Sequence, residues 1–309
     1  MGDLANETWW QLTVEVIQER SQQVEQALQQ AGAAVVTIQD AGDQAILEPL
    51  PGETPVWSSS AVTGLFSSLT RLTQVKEKLS QTLDRDELAD CHITQLENRD
   101  WERAWLDDFH PMRFGSRLWV CPTQQTPPDP SAVNLMLDPG LAFGTGTHPT
   151  TALCLTWLDS ADLQGKQVID YGCGSGILAI AAVKLGARQV WTVDVDPQAL
   201  IATERNAADN KILASIFPVT PEQLPMVKVD ILLANILAEP LLVLAAHFAD
   251  LVREGGRVVL SGLLASQVAQ IETVYKAWFD FKPPIYRQEW ALCQAVRTSK
   301  KLPQKPTVA

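Results

Sequence analysis

An acidic residue and three glycines at alternate positions close a short apolar run: Val168-Ile169-Asp170-Tyr171-Gly172-Cys173-Gly174-Ser175-Gly176. An apolar helical run, residues 177–185, follows at once. A buried strand thus delivers the chain into a glycine-rich turn that opens a helix, where backbone amides approach a nucleotide-like ligand closely. Gly172 and Gly174 are the positions where a side chain would obstruct that approach. Residues 189–193 read as the next strand and end in Asp194-Val195-Asp196-Pro197, with Asp194 22 residues after Gly172. Near that spacing a carboxylate meets ribose hydroxyls, and it also favours a cationic ligand. The other reading of Asp194 is a turn or helix-capping acid. For Asp196, directly before the proline, the cap is the better reading.

Two ligand classes use such a turn. A dinucleotide fingerprint has its third glycine five positions after the first, where this chain has Ile177. Asp170 followed by Gly-x-Gly-x-Gly instead resembles the first motif of class I S-adenosylmethionine-dependent methyltransferases. A third apolar strand, residues 229–235, ends in Asn235, where ligands sit at the carboxyl ends of strands in open α/β sheets. Amino-group methyltransferases often carry Asn or Asp, Pro, Pro, aromatic there. This chain keeps the Asn but has Ile236 and Leu237 for the prolines, which weakens a nucleobase-methylation reading; Asn235 as a strand cap is the other possibility. The loop Leu137-Asp138-Pro139-Gly140-Leu141-Ala142-Phe143-Gly144-Thr145-Gly146-Thr147-His148-Pro149-Thr150-Thr151 offers amides and hydroxyls ahead of a helix, a natural place for a carboxylate. Ordinary N-capping explains Thr150 or Thr151 as simply.

Together with Glu48-Pro49-Leu50-Pro51-Gly52-Glu53-Thr54, Trp101-Glu102-Arg103 and Phe109-His110-Pro111-Met112-Arg113-Phe114-Gly115, these motifs closely resemble the bacterial ribosomal protein L11 methyltransferases over nearly the whole chain. The resemblance implies a small N-terminal domain that grips the ribosomal protein, a linker helix and a catalytic domain that binds S-adenosylmethionine without a metal. By matching positions it makes Thr151, Gly172, Gly174, Asp194 and Asn235 cofactor contacts. It also implies methyl transfer to lysine side chains and the N-terminal amine of L11. The acceptor amine must be neutral. At pH 7 this costs a free lysine about 4.6 kcal/mol and an α-amine only about 1 to 1.4 kcal/mol. An apolar pocket offsets part of that cost, and Ile236 and Leu237 fit one. The carbonyl of Asn235 is the candidate acceptor of an amine hydrogen, which makes it the candidate catalytic residue. Rival functions are a class I methyltransferase for another protein, RNA or a small molecule, a nicotinamide oxidoreductase, and a ribosome-binding module without turnover.

The elements that must position these residues fall into two groups. In residues 1–97, apolar alternation and helical spacing predict strand, helix, strand, strand, helix, strand, the ferredoxin-like order. The strands lie near residues 10–16, 34–38, 62–66 and 92–96; the helices carry Val24, Ala27 and Leu28, then Leu72, Val75, Lys76 and Leu79. Residues 98–115 read as a linker helix region with Trp101 and Trp105 on one face. These indoles either dock the helix on a domain or form a substrate edge. From Leu135 to near Trp278 strands and helices alternate, so residues 116–298 are expected to form a doubly wound class I methyltransferase sheet closed by strands near 285–289 and 292–297, one of them antiparallel. The polar tail 299–309 is expected to be disordered. Of 36 Asp/Glu and 24 Lys/Arg, residues 1–97 hold 15 and 5 (net −10) and the remainder 21 and 19 (net −2). The acidic third suits a basic protein partner or serves solubility alone. The charge of −12 disfavours a nucleic-acid surface. Five cysteines and four histidines are dispersed without metal-ligand spacing, so reduced thiols and no metal are expected. The longest apolar run falls well short of the roughly 20 residues of a membrane span, and residues 1–20 lack a signal-peptide pattern. A cytoplasmic monomer is the resulting expectation.

Overall fold

The computed structural model describes residues 9–42, 57–67, 75, 79–80, 91–96, 110–138 and 146–299. The chain divides into two compact units, Met1–Arg103 and Ala104–Ala309. In the first, β1 (Trp9–Ile17), α1 (Gln18–Gln30), β2 (Val35–Asp40), β3 (Ser59–Phe66) and β4 (His92–Leu96) build an antiparallel sheet ordered β2-β3-β1-β4. This is the ferredoxin-like order expected. Period-two alternation points Leu12, Val14 and Val16 inward against Val24 and Leu28 of α1. Gly32, at φ +91°, lets the chain leave that helix, as Gly32 and Ala33 donate back to Gln29 and Leu28. Of the second predicted helix, Val75 and Leu79 are described; both are helical and buried.

The second unit begins with β5 (Met112–Phe114), β6 (Leu118–Cys121) and β7 (Val133–Met136), a small sheet in which β5 and β6 are antiparallel and β6 and β7 parallel. The helix-bearing part of the predicted linker, residues 98–109, lies outside the described residues, as do residues 300–309 of the tail. There follow α2 (Pro149–Ser160), β8 (Gln167–Tyr171), α3 (Ile177–Lys184), β9 (Gln189–Val193), α4 (Pro197–Asp209), β10 (Ile216–Val219) and β11 (Val229–Asn235). The chain closes with α5 (Ala238–Leu251), β12 (Val252–Leu264), α6 (Val268–Tyr275), β13 (Phe279–Phe281), β14 (Ile285–Arg287) and β15 (Trp290–Arg297). The sheet runs β10-β9-β8-β11-β12-β15-β13. It is parallel from β10 to β12, with β15 antiparallel to both neighbours. This is the doubly wound class I methyltransferase fold.

The closing pair differs in one member from the sequence reading. The stretch near 285–289 forms β14, which lies off the main path as a hairpin on β15, and the outer strand is β13. Helix α6 ends at Tyr275, short of the apolar stretch to Trp278, and Phe279 of β13 enters the core. Strands β8 and β11 are buried on both faces, Val168 and Ile231 in one core layer and Ile169 and Leu232 in the other. Continuous apolar runs are what a parallel sheet covered by helices requires. Strand order reverses between β8 and β11, so their carboxyl ends open the crevice where such sheets take ligands.

Candidate functional site

At the end of β8 the chain turns through Gly172, Gly174 and Gly176 with φ of +78°, +53° and +78°. Side chains other than glycine's rarely adopt this region. The amides of Gly172 and Cys173 both donate to the Val193 carbonyl, at 2.7 and 3.1 Å, tying the turn to the end of β9. A Cβ on Gly172 would stand 2.2 Å from Cγ2 of Ile236, so the loops after β8 and β11 are already in contact.

Asp194 is held by two amides: Gly174 N–H donates to Oδ2 and Asp196 N–H to Oδ1, each at 3.0 Å. Its carboxylate stays half-exposed and keeps lone pairs for further donors. The cap of α4 is Asp196, whose Oδ1 accepts from Gln198 N–H at 2.9 Å. The capping half of the alternative for Asp194 therefore falls away, while the bond from Asp196 N–H is the turn half of it. Beside it Val195 is 81% exposed, an apolar surface next to a carboxylate.

The capping alternative for Thr150 and Thr151 also fails. His148 caps α2, its Nδ1 accepting from Thr150 N–H at 3.4 Å and lying 2.7 Å from Thr150 Oγ1. Burial lowers the pKa of this imidazole, opposed by the nearby Glu289 carboxylate. Thr151 is fully buried, and its hydroxyl accepts from Asn235 Nδ2 at 3.4 Å. Asn235 Oδ1 is buried without a partner, and the cap position of α5 is Leu237, so Asn235 does not serve as that helix's cap. A buried acceptor left open costs roughly 1 to 3 kcal/mol and fits a donor supplied by a ligand. Leu237, 56% exposed, gives the crevice an apolar rim.

Beneath the turn, Asp170 accepts from Ala179 N–H at 3.0 Å, and its Oδ1 has no partner. Burial pushes this carboxyl up to about 7, the Ala179 amide opposing and Asp194 adding to the rise. The thiols nearby are not nucleophiles: burial pushes Cys154 up to about 12 and Cys173 higher still. All five cysteines are free and buried. Among the described residues no group of three His, Cys, Asp or Glu could hold a metal.

Sequence reasoning missed the second layer. Thr203 Oγ1 donates to Gly174 O at 3.1 Å, and Asn206 Nδ2 donates to Ser175 O at 2.8 Å. Asn210 bonds both the amide and the carbonyl of Met136, fixing the end of β7 that leads into the 137–151 loop. The available signal was three polar residues at helical spacing around the buried Ala199 and Ala207 of α4. Residues 139–145 of that loop lie outside the described residues.

The site thus combines an amide-rich glycine cradle, an anchored carboxylate and an orphaned carbonyl at one switch point. A family model described as Ribosomal protein L11 methyltransferase (PrmA) matches residues 8–298. The chain belongs to this family. It is 51% identical over 290 residues to the Ribosomal protein L11 methyltransferase of Methylococcus capsulatus, covering 94% of this chain and 99% of the relative. The corresponding Marinobacter nauticus protein is 49% identical over 286 residues, covering 91% and 96%. Among solved structures, ribosomal protein L11 methylase from Lactobacillus delbrueckii subsp. bulgaricus aligns with TM-score 0.56 and 33% identity, over 62% of this chain and all of that one. As a member of the L11 methyltransferase family the chain is an S-adenosylmethionine-dependent methyltransferase acting on protein amines. The residues present fit that cofactor: Gly172 leaves the cradle that a Cβ would fill, Asp194 offers lone pairs to hydroxyls, and Asn235 Oδ1 awaits a donor. The dinucleotide alternative has Ile177 where it needs glycine, and this side chain is buried in the core under α3.

Proposed function

We propose that this chain methylates lysine side chains and the N-terminal amine of ribosomal protein L11, with Thr151, Gly172, Gly174, Asp194 and Asn235 forming the cofactor site. The observation that carries this reading is the unpartnered, buried Oδ1 of Asn235, held by Thr151 beside the point where Ile236 meets Gly172. The amides of the glycine turn and the carboxylate of Asp194 bind the nucleoside end, Asp194 through the ribose hydroxyls. When bound, S-adenosylmethionine supplies a methyl group activated by a sulfonium.

The protein's own task is alignment and exclusion of water, since an in-line displacement at carbon needs no covalent nucleophile. Asn235 Oδ1 accepts a hydrogen from the acceptor amine and so directs its lone pair away from the carbonyl. The apolar flank of Ile236 and Leu237 favours the neutral amine over the ammonium. That preference matters most for lysine, whose deprotonation at pH 7 costs about 4.6 kcal/mol.

Residues 1–97, net −10, serve as the recognition domain for the basic substrate, residues 98–115 as the linker and 116–298 as the catalytic domain. Complementary charge speeds such encounters. The enzyme acts in the cytoplasm as a monomer on a protein acceptor. No helix among the described residues is long and apolar enough to cross a membrane. Intact mass of purified L11 after incubation with enzyme and S-adenosylmethionine tests the reading, with Gly172→Trp as control. Methyl-sized increments absent from the control are expected. No increment despite demonstrated cofactor binding would refute it.

A further inference from the structure

On the second unit a cavity of about 580 Å³ lies between one face of α2 and the strands β12, β14 and β15. Pockets of about 300 to 1,000 Å³ are the size that takes small ligands. Its lining contains Arg257, Lys282 and Arg287 and no carboxylate. None of the three cations is ion-paired among the described residues. In a chain of net charge −12, three uncompensated cations around one cavity form a local exception.

The other polar groups add one donor, the Gln294 amide nitrogen, and two hydroxyls whose protons are already committed to backbone carbonyls. Gln294 Oε1 accepts from Trp157 Nε1 at 3.0 Å, which leaves the amide nitrogen of Gln294 as the donor end. The wall hydroxyls of Thr156 and Ser160 donate to Ala152 O and Trp157 O, at 2.8 and 2.9 Å. Tyr286 lines the rim and is 53% exposed. Guanidinium forks match phosphate oxygens, and three cations exceed what one carboxylate would neutralise. Cations interleaved with an exposed aromatic ring are the combination that binds phosphates and stacks bases.

At its Arg257 end the cavity is removed from the methyl-transfer site, whereas at the other end Arg287 pairs with Trp290, whose ring packs on His148 at the cap of α2. Asn235 pairs with Ser261, whereas Arg257 pairs with Ile231, four residues earlier on β11. At strand rise this is roughly 13 Å toward the amino-terminal ends of the strands.

We propose that this cavity binds a phosphorylated nucleoside, its phosphates on Arg257, Lys282 and Arg287 and its base on Tyr286. The ligand is either a free nucleotide or a nucleotide of an RNA strand. A three-cation site is local, and charges beyond about 8 Å are screened at physiological salt, so the acidic chain as a whole does not forbid it.

Fluorescence anisotropy on the full chain tests this, with saturating S-adenosylhomocysteine present to occupy the cofactor site. The probes are mant-ADP and a fluorescein-labelled oligouridylate. Saturable binding of at least one probe is expected, weakened about tenfold or more in the Lys282→Gln/Arg287→Gln double variant. Tyr286→Ala should weaken it by about 5- to 150-fold. For the strand, the slope of log affinity against log salt should be about −2 and fall toward −0.7 in the double variant. Tighter binding of mant-ADP assigns a free nucleotide, and tighter binding of the oligonucleotide a strand. No saturable binding, or binding that neither variant changes, overturns the site. Inorganic pyrophosphate competing as well as ADP, with Tyr286→Ala neutral, overturns the nucleoside.

Discussion

Replacing Gly172 with alanine would place a methyl group 2.2 Å from Ile236 Cγ2 while holding the backbone at φ +78°. Two penalties act at once. The left-handed conformation costs an L-residue roughly 1 to 2 kcal/mol. Overpacking costs about 1 to 3 kcal/mol, and Ile236 cannot easily relieve it, because a β-branched side chain is stiff at χ1. Reduced freedom of the unfolded chain returns about 0.4 to 1 kcal/mol. The net destabilisation is therefore about 1 to 5 kcal/mol. In an Ile236→Ala background the contact is gone and the backbone penalty remains, so the two substitutions should couple by about 1 to 3 kcal/mol. Urea unfolding of the parent, both single variants and the double variant measures this coupling. Calorimetric titration with S-adenosylmethionine should show lost binding in Gly172→Ala and partial recovery in the double variant. Additivity within about 0.5 kcal/mol would refute the reasoning, because it would mean the two loops do not meet.

Asn235→Ala removes the orphaned acceptor, and turnover at saturating cofactor should fall about 2- to 12-fold, the worth of one hydrogen bond; unchanged turnover would remove Asn235 from the acceptor side. Thr203→Val leaves Gly174 O without its 3.1 Å donor, which should cost about 1 to 3 kcal/mol and weaken cofactor binding. Unfolding curves and affinities equal to the parent's would dismiss the second layer. Asp170, pushed up to about 7, binds its proton more tightly folded than unfolded. Its stabilisation is complete below pH about 4 and is lost as pH rises through 7, with a slope of at most about 1.4 kcal/mol per pH unit. Asp170→Asn should flatten that window in unfolding experiments at stepped pH, and an unaltered profile would show that another group carries the dependence.

Several elements were legible because their determinants are local. The run 189–193 alternates strand formers and ends in turn residues, and β9 has those bounds. Gly32 stops α1 as a glycine does wherever a helix needs a left-handed exit. The outer strand was misplaced because β13 and β14 have three residues each, too few for periodicity to register, and only their pairing with β15 decides which one extends the sheet. Capping was legible at one helix and not at the other. Asp196, directly before a proline, caps α4 as expected, whereas at α2 Thr150, Thr151 and His148 all suit a cap and only backbone geometry decided for His148.

By itself the sequence determined the glycine turn, the acid after the second apolar strand, the Asn after the third, and a family resemblance spanning both units. Such features live in residue type and short-range spacing, which chain chemistry dictates without reference to distant partners. Only the tertiary structure decided that Gly172 faces Ile236, that Thr151 holds Asn235, and that Thr203 and Asn206 satisfy the carbonyls of the turn. These contacts join residues 29 to 84 positions apart. Their geometry follows from strand order and from close packing across the switch point, quantities that no local pattern encodes.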